Sequence, residues 1–275
     1  MRNRSNWKRL VTALLLGFGA SVNADELPLV DAHIHYSQDA WQVLSPEKAV
    51  ELLRAAGLKK ALVSSSSDEG TQKLYRIAPD LVVPVLRPYR KRGEHSSWIH
   101  DESVKSMLSA KLANGVYAGI GEFHADGEQI ELPVMQHVIA LAKQYNIFLH
   151  AHVDVDAVHR IFEADPDALV LWAHAGFESP EVISATLQKY SNLWADLSFR
   201  EEFAFRGEIE DEWREMFERF PTRFLLGSDT YTPERWFYVG EYADWSRGWL
   251  PQLPREVADN IAFRNAETLL SRVRN

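Results

Sequence analysis

The fold class this sequence predicts is α/β, a (β/α)8 TIM barrel, and three observations carry the prediction. Eight short runs rich in Val, Ile, Leu and Phe alternate with segments of helical spacing from Asp25 onward. No linker, low-complexity stretch or change of composition interrupts them, so 25–275 reads as one domain of about the size such a barrel needs. The polar residues best suited to chemistry fall where the strand candidates end, as a barrel with its site at the C-terminal face demands. An open doubly wound sheet is the structural alternative.

The strand candidates are Leu27–His35, Lys60–Ser65, Leu81–Leu86, Val116–His124, Ile147–Val153, Leu169–Ala175, Leu193–Phe199 and Arg223–Asp229. Ser45-Pro46-Glu47 opens a helix that carries Val50, Leu53 and Ala56 on one side and stops at Gly57. Leu132, Met135, Val138, Leu141 and Ala142 mark a second helix, and Val182, Ile183, Thr186 and Leu187 a third. Glu201–Phe220 contains an amphipathic helix whose apolar side, with Phe203, Phe205, Trp213, Met216 and Phe217, is read as core packing.

Ahead of the first strand, Met1 to Ala24 reads as a cleavable signal peptide. Arg2, Arg4, Lys8 and Arg9 give a basic start, Leu10 to Ala20 is apolar, and Val22-Asn23-Ala24 offers small residues for cleavage. The apolar run is too short to span a bilayer, so stable membrane insertion is not expected and a periplasmic or secreted product is. Removing these 24 residues, four basic and none acidic, takes the formal charge from −9 to −13. Such a chain is poorly suited to long nucleic acids. With no Cys, thiolate metal sites, disulfides and cysteine nucleophiles are excluded, and any metal must sit on nitrogen and oxygen.

Six of the ten histidines, His33, His35, His124, His150, His152 and His174, end strand candidates. In Asp31-Ala32-His33-Ile34-His35 the strand alternation puts both imidazoles on one face, where they can chelate one ion. The fourth candidate ends Gly119-Ile120-Gly121-Glu122, a carboxylate whose burial in a barrel mouth calls for a cation. The fifth carries His150 and His152, the sixth ends in His174, and the eighth ends in Asp229 after an apolar run. Each has a bland reading alone, as a hydrogen-bonded strand-end His or a capping Asp. Five strand ends offering such ligands on one face of one barrel are better explained by a metal centre.

This pattern resembles the amidohydrolase superfamily, specifically its amidohydrolase-related (amidohydrolase-2) metal-dependent hydrolases, with a fourth-strand Glu similar to that of TatD-type nucleases. The resemblance covers essentially Leu29 to Leu270, including a C-terminal helix around Ile261–Leu270. It implies His33 and His35 as first-strand ligands, Glu122 as a bridging carboxylate, His150 and His174 as ligands of a second metal, and Asp229 as ligand and proton shuttle. It implies one or two divalent ions, Zn before Mn, Fe or Co. Glu122 stands where the commonest binuclear pattern has a carboxylated Lys, which leaves one ion or two open. His150 rather than His152 is taken as ligand because it follows the apolar run; His152 is left facing substrate.

A divalent ion on such ligands activates water, so hydrolysis of a small ester, lactone, amide or phosphoester is the leading expectation. A metal-dependent decarboxylase is second, and a non-catalytic binding protein third. Arg87 and Arg200, which follow the third and seventh strands, are candidates for an anionic group on the substrate. Arg90-Lys91-Arg92 reads as a solvated loop. Thr230–Leu253, with Tyr231, Trp236, Phe237, Tyr238, Tyr242, Trp245 and Trp249, is expected to cap the site, Tyr231 touching substrate, or else to form a homo-oligomer contact.

Overall fold

The computed structural model describes residues 26–273; the expected signal peptide, Met1 to Ala24, lies outside the described residues. Eight parallel strands follow one another in sheet order exactly as in sequence order: β1 (Leu29–Ile34), β2 (Leu58–Val63), β3 (Val82–Leu86), β4 (Gly119–Ala125), β5 (Phe148–Val153), β6 (Val170–Trp172), β7 (Leu193–Asp196) and β8 (Phe224–Leu225). The ring closes between the last strand and the first. Ala32 N donates to Leu226 O at 2.8 Å and Asp229 N to His33 O at 2.8 Å, so the barrel seam runs beside the strand ends that carry His33, His35 and Asp229.

Helices cover the strands because their sequences start, bury and stop in the right places. Ser45 accepts from Lys48 N at the start of Pro46–Ala55, and Ala49, Val50 and Leu53 face the core. Gly57 ends that segment with a φ of 69°, and a side chain there would run into the Arg247 guanidinium. Asp154 and Ser179 cap Val155–Ala164 and Pro180–Lys189 in the same way. One apolar layer fills the space between strands and helices. A second joins Leu62, Val85, Phe148, Leu171, Trp194 and Leu225 to Ala266 and Leu269 of the C-terminal helix Asn265–Arg272. That helix grips the end of the barrel where strands begin: Asn146 Nδ2 donates to Arg272 O at 3.0 Å, and Arg272 Nη2 to Asn192 Oδ1 at 2.8 Å.

Several expected elements are shorter than the sequence suggests; β7, for example, ends at Asp196 rather than Phe199. β6 ends at Trp172 because His174, Ala175, Gly176 and Phe177 all have positive φ, between 48° and 65°, which no strand tolerates. β8 pairs over two residues before the chain leaves to carry Asp229. Helix within Glu201–Phe220 is confined to Asp211–Arg219, after a short turn at Glu201–Ala204. The aromatics of Thr230–Leu253 divide: Trp236 and Trp249 are buried, and Trp236 Nε1 donates to His35 O at 3.0 Å, whereas Tyr231, Phe237 and Tyr238 are exposed, as is Phe205, which was expected in the core.

Candidate active site

The strand ends enclose a cavity of about 420 Å³, with Glu122, His152, His174 and Asp229 in its wall. Its floor is built from β1. Asp31 Oδ1 accepts from His33 N at 3.0 Å and from Ser228 N at 3.1 Å, tying the start of the His-x-His segment across the seam. Burial outweighs these bonds and pushes the Asp31 carboxyl up to about 6. Beyond it, His33 and His35 point their Nε2 atoms at each other, 3.1 Å apart, both fully enclosed.

The other nitrogen of each ring is occupied. His35 Nδ1 donates to Ser64 O at 2.5 Å and His174 Nδ1 to Ser198 O at 2.9 Å; His33 Nδ1 lies 3.2 Å from Asp196 Oδ2. A ring that spends its Nδ1 proton outward presents a bare Nε2 inward, the arrangement of metal-ligating imidazoles. Two carboxylates meet these nitrogens. Glu122 Oε2 is 3.3 Å from His35 Nε2 and its Oε1 is 3.6 Å from the Nε2 atoms of His33 and His174. Asp229 Oδ1 lies 3.2 Å from His35 Nε2 and 3.8 Å from His33 Nε2.

These residues fit a divalent cation. Donor atoms about 2.1 Å from a tetrahedral ion lie about 3.4 Å from one another, which is the spacing around His33, His35, Glu122 and Asp229. Asp229 Oδ1 is buried and, despite its imidazole neighbours, receives no hydrogen bond of adequate geometry. Such an atom is costly without a cation. Among the described residues, groups able to hold an ion recur at this end of the barrel: His33 with His35 and Glu122, His33 with His174 and Asp229, His33 with His150 and Asp196, and Glu122 with His124 and His152.

The charges argue in the same direction. Burial alone would raise all three carboxyls. Instead the His33 ring, with Arg87 at Glu122, His150 at Asp196 and His35 at Asp229, holds Glu122 and Asp196 well below the carboxylate range and Asp229 at about 2. Conversely His33, which burial would keep neutral, is held well above its ordinary value by Asp229, Asp196 and Glu122. Glu122, Asp196, Asp229 and, above its raised value, Asp31 outnumber the buried guanidinium of Arg87, Nη2 to Glu122 Oε2 at 2.5 Å, and the raised His33 ring. A divalent ion would offset that excess in place of the His33 proton.

The structure thus brings together His33, His35, Glu122, His174 and Asp229. It separates the two fifth-strand histidines. His150 is buried with Nε2 on Asp196 Oδ2 at 3.0 Å, and burial beside His33 lowers it to about 4, whereas His152 lines the cavity with Nδ1 on Glu122 Oε1 at 2.8 Å. Arg87 and Tyr231 line the cavity. Arg200 stands behind its wall instead, with its guanidinium donating to His174 O, Glu178 O and Glu202 Oε1. No donor of Arg200 is aimed at a ligand; it anchors the turn that carries His174. Arg92, read as solvated loop, is exposed but reaches the cavity mouth, paired with Asp39.

Sequence reasoning missed Asp196 and Ser198. Asp196 Oδ1 accepts from His174 N at 3.2 Å, Ser198 N at 3.1 Å and Ser198 Oγ at 2.5 Å, while Oδ2 serves His33 and His150. The signal was available: an Asp closing the apolar run Leu193-Trp194-Ala195 is the pattern that singled out Asp229. Tyr89 was missed as well. Its hydroxyl accepts from His124 N at 2.7 Å and lies 2.8 Å from His124 Nδ1, and burial lowers His124 to about 3.

No protein-family model and no curated protein matches the chain. Solved structures do. An uncharacterised TIM-barrel protein from Bordetella bronchiseptica has a TM-score of 0.61 at 15% identity, covering 90% of this chain and 99% of that one. A protein assigned as a 2-pyrone-4,6-dicarboxylic acid hydrolase from Pseudomonas putida has a TM-score of 0.60 at 12% identity, over 91% of this chain and 100% of the other. A TatD family hydrolase from Entamoeba histolytica has a TM-score of 0.55 at 11% identity, over 88% and 98%. At these identities the likeness shows the barrel fold expected from the sequence.

Proposed function

We propose that this barrel is a metal-dependent hydrolase of the amidohydrolase type, exported by its N-terminal segment, that cleaves a small ester, lactone, amide or phosphoester. The observation that carries the reading is the convergence of two Nε2 atoms on the buried, unbonded Oδ1 of Asp229. The hydrolases among the structural neighbours support it, the lactone arm being favoured by the neighbour assigned to a pyrone dicarboxylate.

His33, His35, Glu122 and Asp229 would hold a single divalent ion, Zn by preference, with His174 at its edge. One ion is the simpler balance for this cluster, because Arg87 and His152 already claim both oxygens of Glu122 and leave it poorly placed to bridge two. When bound, the ion lowers the pKa of a water to about 7 and polarises the scissile carbonyl or phosphoryl oxygen. Asp229 takes the proton of the attacking water on a carboxylate oxygen and returns it to the leaving group. Arg87 keeps Glu122 ionised and still, and His152 faces the substrate from the same carboxylate. The same single-ion balance also suits a decarboxylase, the second reading.

The test is elemental analysis of the chain from Asp25 to Asn275 beside His35→Ala and His150→Gln variants, with ester, lactone and phosphoester panels. One ion per chain, lost in His35→Ala and kept in His150→Gln, with turnover of one panel, is expected. Two ions per chain, with one lost in His150→Gln, would restore the binuclear reading. Release of carbon dioxide without hydrolysis would establish the decarboxylase. The mature N-terminus, read by mass spectrometry of protein from the expressing cell, tests export.

A further inference from the structure

The turn after β6 runs through four successive left-handed residues, His174, Ala175, Gly176 and Phe177, with φ of 55°, 48°, 65° and 55°. For L-residues this conformation is strained, and only Gly is free of the strain. Phe199, after β7, has a φ of 57° as well. Both strained phenylalanines line the cavity. Phe177 is 56% exposed, yet its ring stacks on His174 at 4.6 Å with planes 16° apart. Phe199 lies 5.8 Å from both His174 and Tyr231, the latter 54% exposed. The Arg235 guanidinium sits 4.0 Å from the Phe199 ring centre and is fixed by bonds to Asp229 O and Ser228 O.

Local propensity does not explain rings held in this way, and although Phe177 rests one face on His174 and Phe199 one on Arg235, both still line the cavity. Packing drives a ring inward, and these remain open to the cavity beside His174. From this geometry we infer that Phe177, Phe199 and Tyr231 form a platform for a flat ring, so the substrate is a small ring-bearing molecule, aromatic or conjugated, with its reactive carboxyl-level group held near His174 and Asp229. This deepens the proposed function and rests on it for the position of the reacting group. A face of this kind gains its affinity from offset or edge-to-face ring contact, which a saturated or ringless acid cannot reproduce.

The experiment is calorimetric titration of the full-length mature protein, as purified with its native metal content, with benzoate, cyclohexanecarboxylate and acetate, repeated on Phe177→Gly and Tyr231→Ala. Benzoate binding at least tenfold tighter than acetate, with cyclohexanecarboxylate between, is expected in the parent. Phe177→Gly should bring the benzoate preference below threefold without lowering Tm, because glycine relieves the left-handed backbone. Tyr231→Ala, at an unstrained position, should weaken benzoate in the same direction. Equal affinity for benzoate and acetate in the parent would overturn the platform. So would an unchanged preference in both variants, or a dimer in light scattering that Phe177→Gly dissociates while ligand affinities stay fixed, since the rings would then serve a second copy. Binding is read without turnover: ring preference without hydrolysis would refute the proposed reaction alone, and hydrolysis without ring preference would refute this inference alone.

Discussion

Asp196 Oδ2 stands 3.2 Å from Nδ1 of His33, on the side of the imidazole away from the Nε2 atom that faces His35, Glu122 and Asp229. The carboxylate therefore accepts the Nδ1–H of His33 and leaves Nε2 as the nitrogen that an ion would use. Asp196 is a positioning residue. An Asp196→Asn variant, which retains an acceptor oxygen and loses the charge, should bind the divalent ion about 10–100-fold more weakly. Imidazole nitrogen shifts of His33 by NMR should report loss of the single tautomer. Unchanged metal affinity with an unchanged tautomer would remove Asp196 from this role.

Asp229 is asked to do two things, and they separate experimentally. Replacing it by Asn keeps an oxygen near His35 and removes the proton acceptor. Turnover should fall by about 10²–10⁴-fold while metal content measured by elemental analysis stays above half of the parent value. Near-normal kcat in Asp229→Asn would end its assignment as proton shuttle.

Asp31 gives a pH signature. Its folded-state value of about 6 lies above the roughly 3.9 of an unfolded chain, so its favourable contribution is fully present below about pH 4 and disappears as pH rises through 6. The loss is on the order of 3 kcal/mol. Asp31→Asn keeps an oxygen for the N–H groups of His33 and Ser228 and does not ionise. Urea unfolding of the metal-free proteins should show the variant gaining stability over the parent between pH 4.5 and 7.5. Parallel pH curves would contradict the buried, raised carboxyl.

Gly121, just before Glu122, tolerates no side chain. A Cβ there would lie 2.1 Å from the backbone oxygen of His150, at a φ of 135° that L-residues avoid. Gly121→Ala should cost on the order of 3 kcal/mol and lower Tm by about 5–10 °C in thermal unfolding followed by circular dichroism. Because the strain falls next to Glu122, metal affinity should drop with it. A melting point within a degree of the parent's would mean that β4 and β5 can separate more easily than their register implies.

The barrel was legible because each strand candidate is a discrete apolar run and some helices open on a recognisable signal, as at Ser45-Pro46. The core of the site was legible because period-two alternation fixes which residues of Asp31–His35 share a face, and because an acid at the end of an apolar run is conspicuous. Local pattern could not reveal which imidazoles meet in space. His150 and His152 are equivalent by alternation, and only the distance across the barrel puts one on Asp196 and the other on Glu122. Nor could it show Arg200 turned outward, since a strand-end Arg reads alike whether its donors meet a ligand or the carbonyls of His174 and Glu178. The left-handed run from His174 to Phe177 contains one glycine, and nothing in the other three residues announces it.

The seam has a consequence for when the protein acquires chemistry. His35 N donates to Thr230 Oγ1 and Thr230 Oγ1 to His35 O across 195 residues of chain, in the same stretch that lets Asp229 approach His35. A nascent polypeptide that has folded seven of its eight repeating units possesses the His-x-His pair, Glu122 and His174, but neither the final acid nor the bonds that align it. On the proposed reading, full metal uptake then reports a completed chain, because a prematurely terminated one would lack the final acid and its alignment.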